Sequence, residues 1–429
     1  MSDARPVLLG ERFVSLDVLR GVAVLGILVM NIYAFAMPFA AYPNPLLWGG
    51  QEPINIGTWY FTHILFDQKF LSIFAMLFGA GLVLMTGRAE ARGARPARIY
   101  YRRQFWLVVI GALHAYLIWF GDILFMYAFI GMVAYLFRKR TPRTLIIIAC
   151  LLLPLALFMN HGFYQYMVQL QAEATELQAL QESGETLTEE QETKLEEWEI
   201  SRAMMAPTPE DVQKDIDVHR GGYLGIAAQR VPFVVQMQIF GVLFFGLTRV
   251  LALMLIGMAL MKLGIVSAER SGQYYRNMMI AGYALGLPLT IYSAIDLGAH
   301  DFSQLYVMKW GGTANYFGSL IVGLGHVGLV MWIVKNGYLQ RLMRRFADVG
   351  RMALTNYLLH SVILTTVFYG YGFGLYGTIP RFWQMGFVVA VIAFQLFFSG
   401  WWLSRYGFGP VEWAWRSATY WKRQPMRSE

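Results

Sequence analysis

The sequence predicts an all-α polytopic membrane bundle of about ten transmembrane helices, with the N- and C-termini cytoplasmic. Three observations carry the prediction: the chain is too apolar for water, its apolar runs have the length of helical spans, and its basic residues gather in alternate loops.

Of 429 residues, 57% are hydrophobic, 16% aromatic and 14% charged, against roughly 25% charged in a soluble domain. Runs such as Leu145–Leu157 and Val388–Phe398 hold no charge. The charges are unevenly placed. Gln171–Asp217 carries 14 of the 27 acidic residues and 3 of the 35 basic ones, so the remainder is strongly basic. That excess sits in short loops between apolar runs, where it fixes membrane orientation, and it does not imply a nucleic-acid partner. One cysteine, Cys150, excludes a disulfide framework or cysteine metal cluster within one chain. The N-terminal apolar stretch is too long for a cleaved leader and carries Asp17 and Arg20. It reads as a retained first span.

Taken in order, Phe13–Met37 is the first span, and a Pro-rich segment with Pro38, Pro43, Pro45 and Pro53 follows it. Trp59–Phe66 reads as a short amphipathic or re-entrant piece before the second span, Phe70–Met85. Arg88, Arg92, Arg95, Arg98, Arg102 and Arg103 then mark a cytoplasmic loop. Phe105–Phe120 and Ile123–Phe137 form a hairpin across Gly121–Asp122, and Thr144–Met159 is the fifth span. By parity the acidic insert from Asn160 to about Arg230 lies outside, as a polar helical hairpin. Met167, Leu170, Leu177 and Leu180 line one face, a break falls at Ser183–Gly184, and a capping box starts at Thr188 with Gln191. Val242–Leu263, Met279–Ile295, Tyr316–Val334, Met352–Phe368 and Met385–Leu403 complete the set, with basic loops and a basic tail inside. The chain therefore divides into an N-terminal bundle (1–159), the insert (160–230) and a C-terminal bundle (231–429).

Ionisable groups inside spans are costly, so each is a candidate functional residue. Asp17 and Arg20, one turn apart, form a local ion pair, or Arg20 holds a phosphate at the inner mouth. Asn31 lies near the outer end of the first span and either bridges helices or serves chemistry. His63 precedes Asp67 by one helical turn in an otherwise aromatic segment, WYFTHILFDQKF. A carboxylate there fixes the imidazole tautomer and raises its basicity, as a general base requires. His114 and His360 are candidates for lining an internal cavity, whereas His326 reads as a hydrogen-bonded core histidine. Arg249 needs carbonyls or a carboxylate, with Asp122 and Asp296 as candidates. No phosphate-cradling loop, HExxH pair or elbow serine of the G-x-S-x-G type is present, and no metal site is expected.

The segments RFVSLDVLRGVAVLGILVMNIYAF, KFLSIFAMLFGAGL, LHAYLIWFGDIL, GRMALTNYLLHSV and GFGPVEWAWR resemble the YeiB-like bacterial membrane proteins, the domain of unknown function 418. The first span is more distantly similar to the transmembrane acyltransferase superfamily. In its glucosaminide N-acetyltransferase branch, a first-span Asn and a His on the following segment serve the transfer, and Asn31 and His63 match them. The sugar O-acyltransferases carry a His where Asn31 stands. GRMALTNYLLH resembles that superfamily's late motif, with Tyr357 and His360 matching and Thr355 near its Ser.

The resemblance implies an acyl-CoA donor approaching from the cytoplasm, its phosphates held by Arg20, Arg102, Arg103, Arg344 and Arg351. His63 would deprotonate an acceptor hydroxyl or amine outside while Asn31 stabilises the oxyanion. The expected partners are membrane lipids and a small-molecule or glycan–lipid acceptor. Lipid-facing aromatic surfaces would permit a homodimer, and the expected location is the bacterial inner membrane. Two rival readings stand beside it: a transporter or lipid flippase that uses the same polar residues as a path, and a scaffold or sensor built on the acidic insert.

Overall fold

A computed structural model describes residues 13–427. The described residues form helices and no strands, in the order α1 (Val14–Ala36), α2 (Pro53–Leu65), α3 (Lys69–Ala91), α4 (Pro96–Leu117), α5 (Leu124–Ala134) and α6 (Pro142–Glu182). Then come α7 (Glu189–Met205), α8 (Pro209–His219), α9 (Tyr223–Phe240), a π-helical segment (Gly241–Val250), α10 (Leu251–Lys262) and α11 (Gly272–Ala299). The one-turn α12 (Gln304–Tyr306) precedes α13 (Thr313–Lys335), α14 (Gln340–Arg351), α15 (Ala353–Phe368), α16 (Arg381–Leu403) and α17 (Pro410–Tyr420).

Among the described residues, seven stretches are long and apolar enough to cross a membrane: α1, α2–α3, α6, the continuous helix from α9 to α10, α11, α13 and α16. Of the ten spans expected, α5 and α15 are shorter apolar helices. The first turns of α4 carry Arg98, Arg102 and Arg103, which lower its hydropathy. The sixth apolar helix begins at Tyr223, earlier than the expected Val242, because α9 runs straight into α10 through the π segment.

Helix α1 is the axis of the bundle: 83% of its apolar window is buried, against 17% for α6 and 22% for α16. The outer helices turn large apolar side chains outward, among them Leu151 and Val389, which suits a lipid surround. α3 and α10 cross at van der Waals distance because each offers a glycine to the other's backbone. A Cβ on Gly79 would lie 2.0 Å from the Met254 carbonyl oxygen, and one on Gly257 would lie 1.8 Å from that of Met76. Small residues at such crossings are how membrane helices gain dispersion contact when lipid removes the hydrophobic drive.

The acidic insert is a folded continuation of the bundle. α6 passes unbroken through the expected boundary at 160 and ends at Glu182, just before Gly184 with φ +87°. Met167, Leu170 and Ala174 of α6 bury Trp198 of α7 between them. The expected capping box at Thr188 and Gln191 forms, and a second one at Thr208 and Asp211 starts α8. The Thr208 amide donates to Asp211 and holds its carboxyl below the usual range. α8 is tied to the loop before α16: the Tyr376 hydroxyl donates to Asp215 Oδ2 at 2.8 Å, and Arg220 Nε donates to the Tyr376 carbonyl at 2.8 Å.

Candidate functional site

The segment from α2 to α3 builds the most charged buried cluster. α2 ends at Leu65, and the chain turns through Gln68, whose φ of +60° lets Lys69 start a new helix at once. His63, on the last turn of α2, is 7% exposed and lies flat on Trp59, with ring centroids 4.5 Å apart. Its Nδ1 faces Asp67 Oδ2 at 3.4 Å. Its Nε2 is buried and has no partner among the described residues.

Asp67 is held from two further sides, by the Tyr42 hydroxyl at 3.0 Å and the Asn315 amide at 3.1 Å. Lys69 is fully enclosed and donates to the His63 carbonyl at 2.7 Å and to Asn315 Oδ1 at 3.0 Å. Asn315 therefore bridges ammonium and carboxylate, one end of its amide serving each. Buried charges persist only when neutralised and hydrogen-bonded in this way. Arg249 of the π segment stands nearby, donating to the Tyr316 carbonyl at 2.9 Å and to Ser319 Oγ at 2.8 Å. Of the partners expected for Arg249, it takes the carbonyl. Asp122 instead meets His114, and Asp296 meets Tyr306 and His300.

Asn31 is not drawn into this cluster. α1 reaches α2 through Tyr33, whose hydroxyl meets Thr62 Oγ1 at 2.9 Å. Asn31 precedes Tyr33 by two residues, about 200° around the helix, and its side chain makes no hydrogen bond among the described residues. His360 is buried on α15 with Nε2 at 2.8 Å from Gln395 Oε1, a tie between α15 and α16. Thr355 of the same motif donates to Glu412 of α17, and burial raises that carboxyl above the usual range against the opposing hydrogen bonds from Thr355 and Leu354. His326 is a satisfied core histidine as expected, bonded to the Tyr283 hydroxyl at 2.8 Å and the Leu65 carbonyl at 3.0 Å.

The arginines divide. Arg20 pairs with Asp17 at 3.0 Å, as expected. Arg103 lies 3.8 Å over the Trp415 ring, and Arg416 stacks on Phe408. Neither has an acidic partner among the described residues. Burial, with the neighbouring Arg416 and Arg20 charges, pushes the Arg103 guanidinium down to about 10, so it stays cationic at neutral pH. Arg102 sits at the edge of this group beside Trp421. Arg344 is exposed on α14, and Arg351 faces Asp348 at 3.5 Å on the same helix. Arg416 was missed in sequence because the tail carries several cations and nothing there marks which one turns inward.

A second polar centre was also missed. His114, Asp122 and Ser361, from α4, the α4–α5 loop and α15, are all buried and in contact: Nδ1 to Asp122 Oδ2 is 2.7 Å, and Nε2 to Ser361 Oγ is 2.8 Å. His114 was expected to face an internal space; its partners come from segments 8 and 247 residues away. Among the described residues no group of His, Cys, Asp and Glu is arranged to hold a metal ion.

Comparison with known proteins places these features in a family. Residues 260–422 match the family model described as protein of unknown function (DUF418). The chain is 31% identical to the uncharacterized protein YxaH of Bacillus subtilis, over 99% of this chain and 98% of that one. It is also 31% identical to the uncharacterized protein YeiB of Escherichia coli, over 95% and 96% of the two chains. A 39.9 kDa protein from the amylase 3' region of Bacillus acidopullulyticus is 24% identical over 98% of this chain. No solved structure matches.

Proposed function

The chain belongs to the DUF418 family of YeiB-like proteins, and from that premise we propose that it is a membrane-bound acyltransferase of the bacterial inner membrane. In this reading the bundle crosses ten times with both ends in the cytoplasm. An acyl-CoA donor arrives from inside, and an extracytoplasmic hydroxyl or amine receives the acyl group.

The observation that carries the reading is the His63 imidazole. One ring nitrogen faces a carboxylate and the other is enclosed without a partner. Leaving a buried polar nitrogen unpaired costs about 1–3 kcal/mol, so the site is built for a group that arrives with the substrate. An ionised Asp67 3.4 Å from Nδ1 favours the tautomer that carries its proton on Nδ1, which leaves Nε2 as the base. The acceptor hydroxyl approaches Nε2 and gives up its proton as it attacks the thioester carbonyl. Lys69, bonded to the His63 backbone, supplies the nearest positive charge for the developing oxyanion. This replaces the role first assigned to Asn31, which the cluster does not recruit. On the inner side Arg20, Arg103 and Arg416 form a cationic group in which only Arg20 is paired, suited to the phosphates of the donor.

The test uses full-length protein in proteoliposomes, acetyl-CoA or palmitoyl-CoA as donor and an envelope lipid–glycan extract as acceptor, reading release of free CoA thiol. His63→Ala should lower release by about 10²–10⁴-fold with the melting temperature unchanged. Equal release by the variant refutes the assignment. The rival reading, a transporter, draws on the helix break between α2 and α3 and the buried charges of Asp67, Lys69 and Arg249. It predicts flux of a lipid or solute without CoA release.

A further inference from the structure

The centre at His114 is separate from the one at His63. α1 lies between them: Phe35 stacks on Trp119 at 3.9 Å on the side of His114, while Tyr33, two residues earlier, meets Thr62 on the side of His63. Nothing in the His63 mechanism uses it.

Its geometry is specific. Asp122 accepts from the Phe125 amide at 2.8 Å through Oδ1, capping the start of α5, and presents Oδ2 to His114 at 2.7 Å. Tyr357 pins the same loop, donating to the Gly121 carbonyl and accepting from the Ile123 amide, both at 3.2 Å. The approach of α4 to this loop needs Gly111, where a Cβ would lie 2.4 Å from the Phe125 nitrogen and 2.8 Å from Asp122 Oδ1. Any side chain there would push the carboxylate off the imidazole.

The proton positions follow from chemistry. An ionised Asp122 only accepts, so Nδ1 carries the imidazole proton and Nε2 holds a lone pair. The 2.8 Å contact is then a bond donated by the Ser361 hydroxyl to Nε2. Buried helical hydroxyls usually donate to the carbonyl four residues back, and Thr62, Ser72 and Thr86 in this chain do so. Ser361 donates to the imidazole instead. Beside it the Trp119 ring lies 6.4 Å from the His114 ring, and its buried indole N–H has no partner among the described residues. A buried donor left unpaired next to such a relay points to an oxygen that a ligand brings.

We propose that Ser361 is the nucleophile of a serine acyl-transfer centre, with His114 as its base, Asp122 holding the ring and an ester or thioester carrying an apolar acyl chain as substrate. Ser361 Oγ forms a bond to the carbonyl carbon as its proton passes to His114 Nε2. The tetrahedral oxyanion faces the Trp119 N–H. Its collapse breaks the carbon–sulfur or carbon–oxygen bond, and the leaving thiolate or alkoxide takes the proton from His114. The acyl group then rests on Ser361 as an ester. A water or acceptor hydroxyl, deprotonated by His114, attacks that ester, and the serine regains its proton. Ser361 is fully enclosed, and Trp119 beside the relay and Leu364 one turn on from Ser361 belong to an apolar cluster, so the carbonyl is delivered by a hydrocarbon chain rather than from bulk water.

The experiment treats full-length protein in detergent micelles with a long-chain alkyl fluorophosphonate and maps the adduct by peptide mass spectrometry. Wild-type protein should be labelled at Ser361, and Ser361→Ala should lose the adduct. Asp122→Asn, which keeps the shape of the side chain, should slow labelling by about 10⁴-fold. An unlabelled Ser361 in wild-type protein that melts cooperatively overturns the proposal, as does equal labelling of Asp122→Asn. The probe needs no acyl donor and no acceptor, so its failure leaves the His63 reading intact, and failure of CoA release leaves this one intact.

Discussion

Replacing Lys69 with Met removes a buried ammonium while keeping an unbranched side chain one atom shorter, so packing changes little. Two charge-assisted hydrogen bonds are lost, to the His63 carbonyl and to Asn315 Oδ1, each worth about 1.5–3 kcal/mol. Asp67 is left as an uncompensated buried charge, and the expected loss is about 3–5 kcal/mol. Asp67→Asn alone should cost a similar amount by stranding Lys69. Because Asn315 links the two groups, the double variant should cost little more than either single one, a coupling of about 3 kcal/mol at the upper end of the measured range. The assay is reversible chemical unfolding of the full-length chain in detergent micelles, run as a double-mutant cycle. Additive losses, roughly 6–10 kcal/mol for the pair, would show that the charges do not compensate each other and would refute the cluster as described.

Two further outcomes follow from the packing and from the tail. Gly257→Leu puts a Cβ 1.8 Å from the Met76 carbonyl oxygen, where contacts under 3.0 Å do not occur. α3 and α10 must part, and the chain should lose about 1–3 kcal/mol or more; an unaltered melting curve would contradict the crossing. The Glu412 carboxyl is raised by burial, so its contribution is complete below the ordinary carboxylate range and is lost as pH rises through the folded value. Amide exchange in α17 should therefore be slowest at acidic pH after correction for intrinsic rates. Glu412→Gln should flatten the dependence, and protection that grows with pH would show the sign to be wrong.

The membrane bundle was legible because it rests on composition and on where arginines fall, both one-dimensional signals. His63 and Asp67 were legible too, since four residues is a local spacing and α2 ends only two residues before Asp67, which leaves the pair in contact. Lys69 and Asn315 were not, being 246 residues apart in sequence and joined only by the packing of α3 against α13. The same holds for Ser361, which meets His114 across 247 residues. LHAYLIWFGDIL and GRMALTNYLLHSV contain all three members of that relay, yet they read as two unrelated spans until α15 is laid against α4. Asn31 shows the converse. Its position in the first span matches a motif, but the rotation of α1 gives the α2 contact to Tyr33.

The claim on which the account rests is that an acyl group leaves a donor on the inner face and reaches an acceptor on the outer one. Proteoliposomes of a single sidedness, loaded inside with radiolabelled acyl-CoA and bathed outside in the envelope lipid–glycan extract, test it directly. The account predicts label in the outer extract, CoA thiol trapped inside, and neither when His63 is replaced by Ala. Label that stays within the lumen as intact acyl-CoA while the wild-type protein is folded would contradict it.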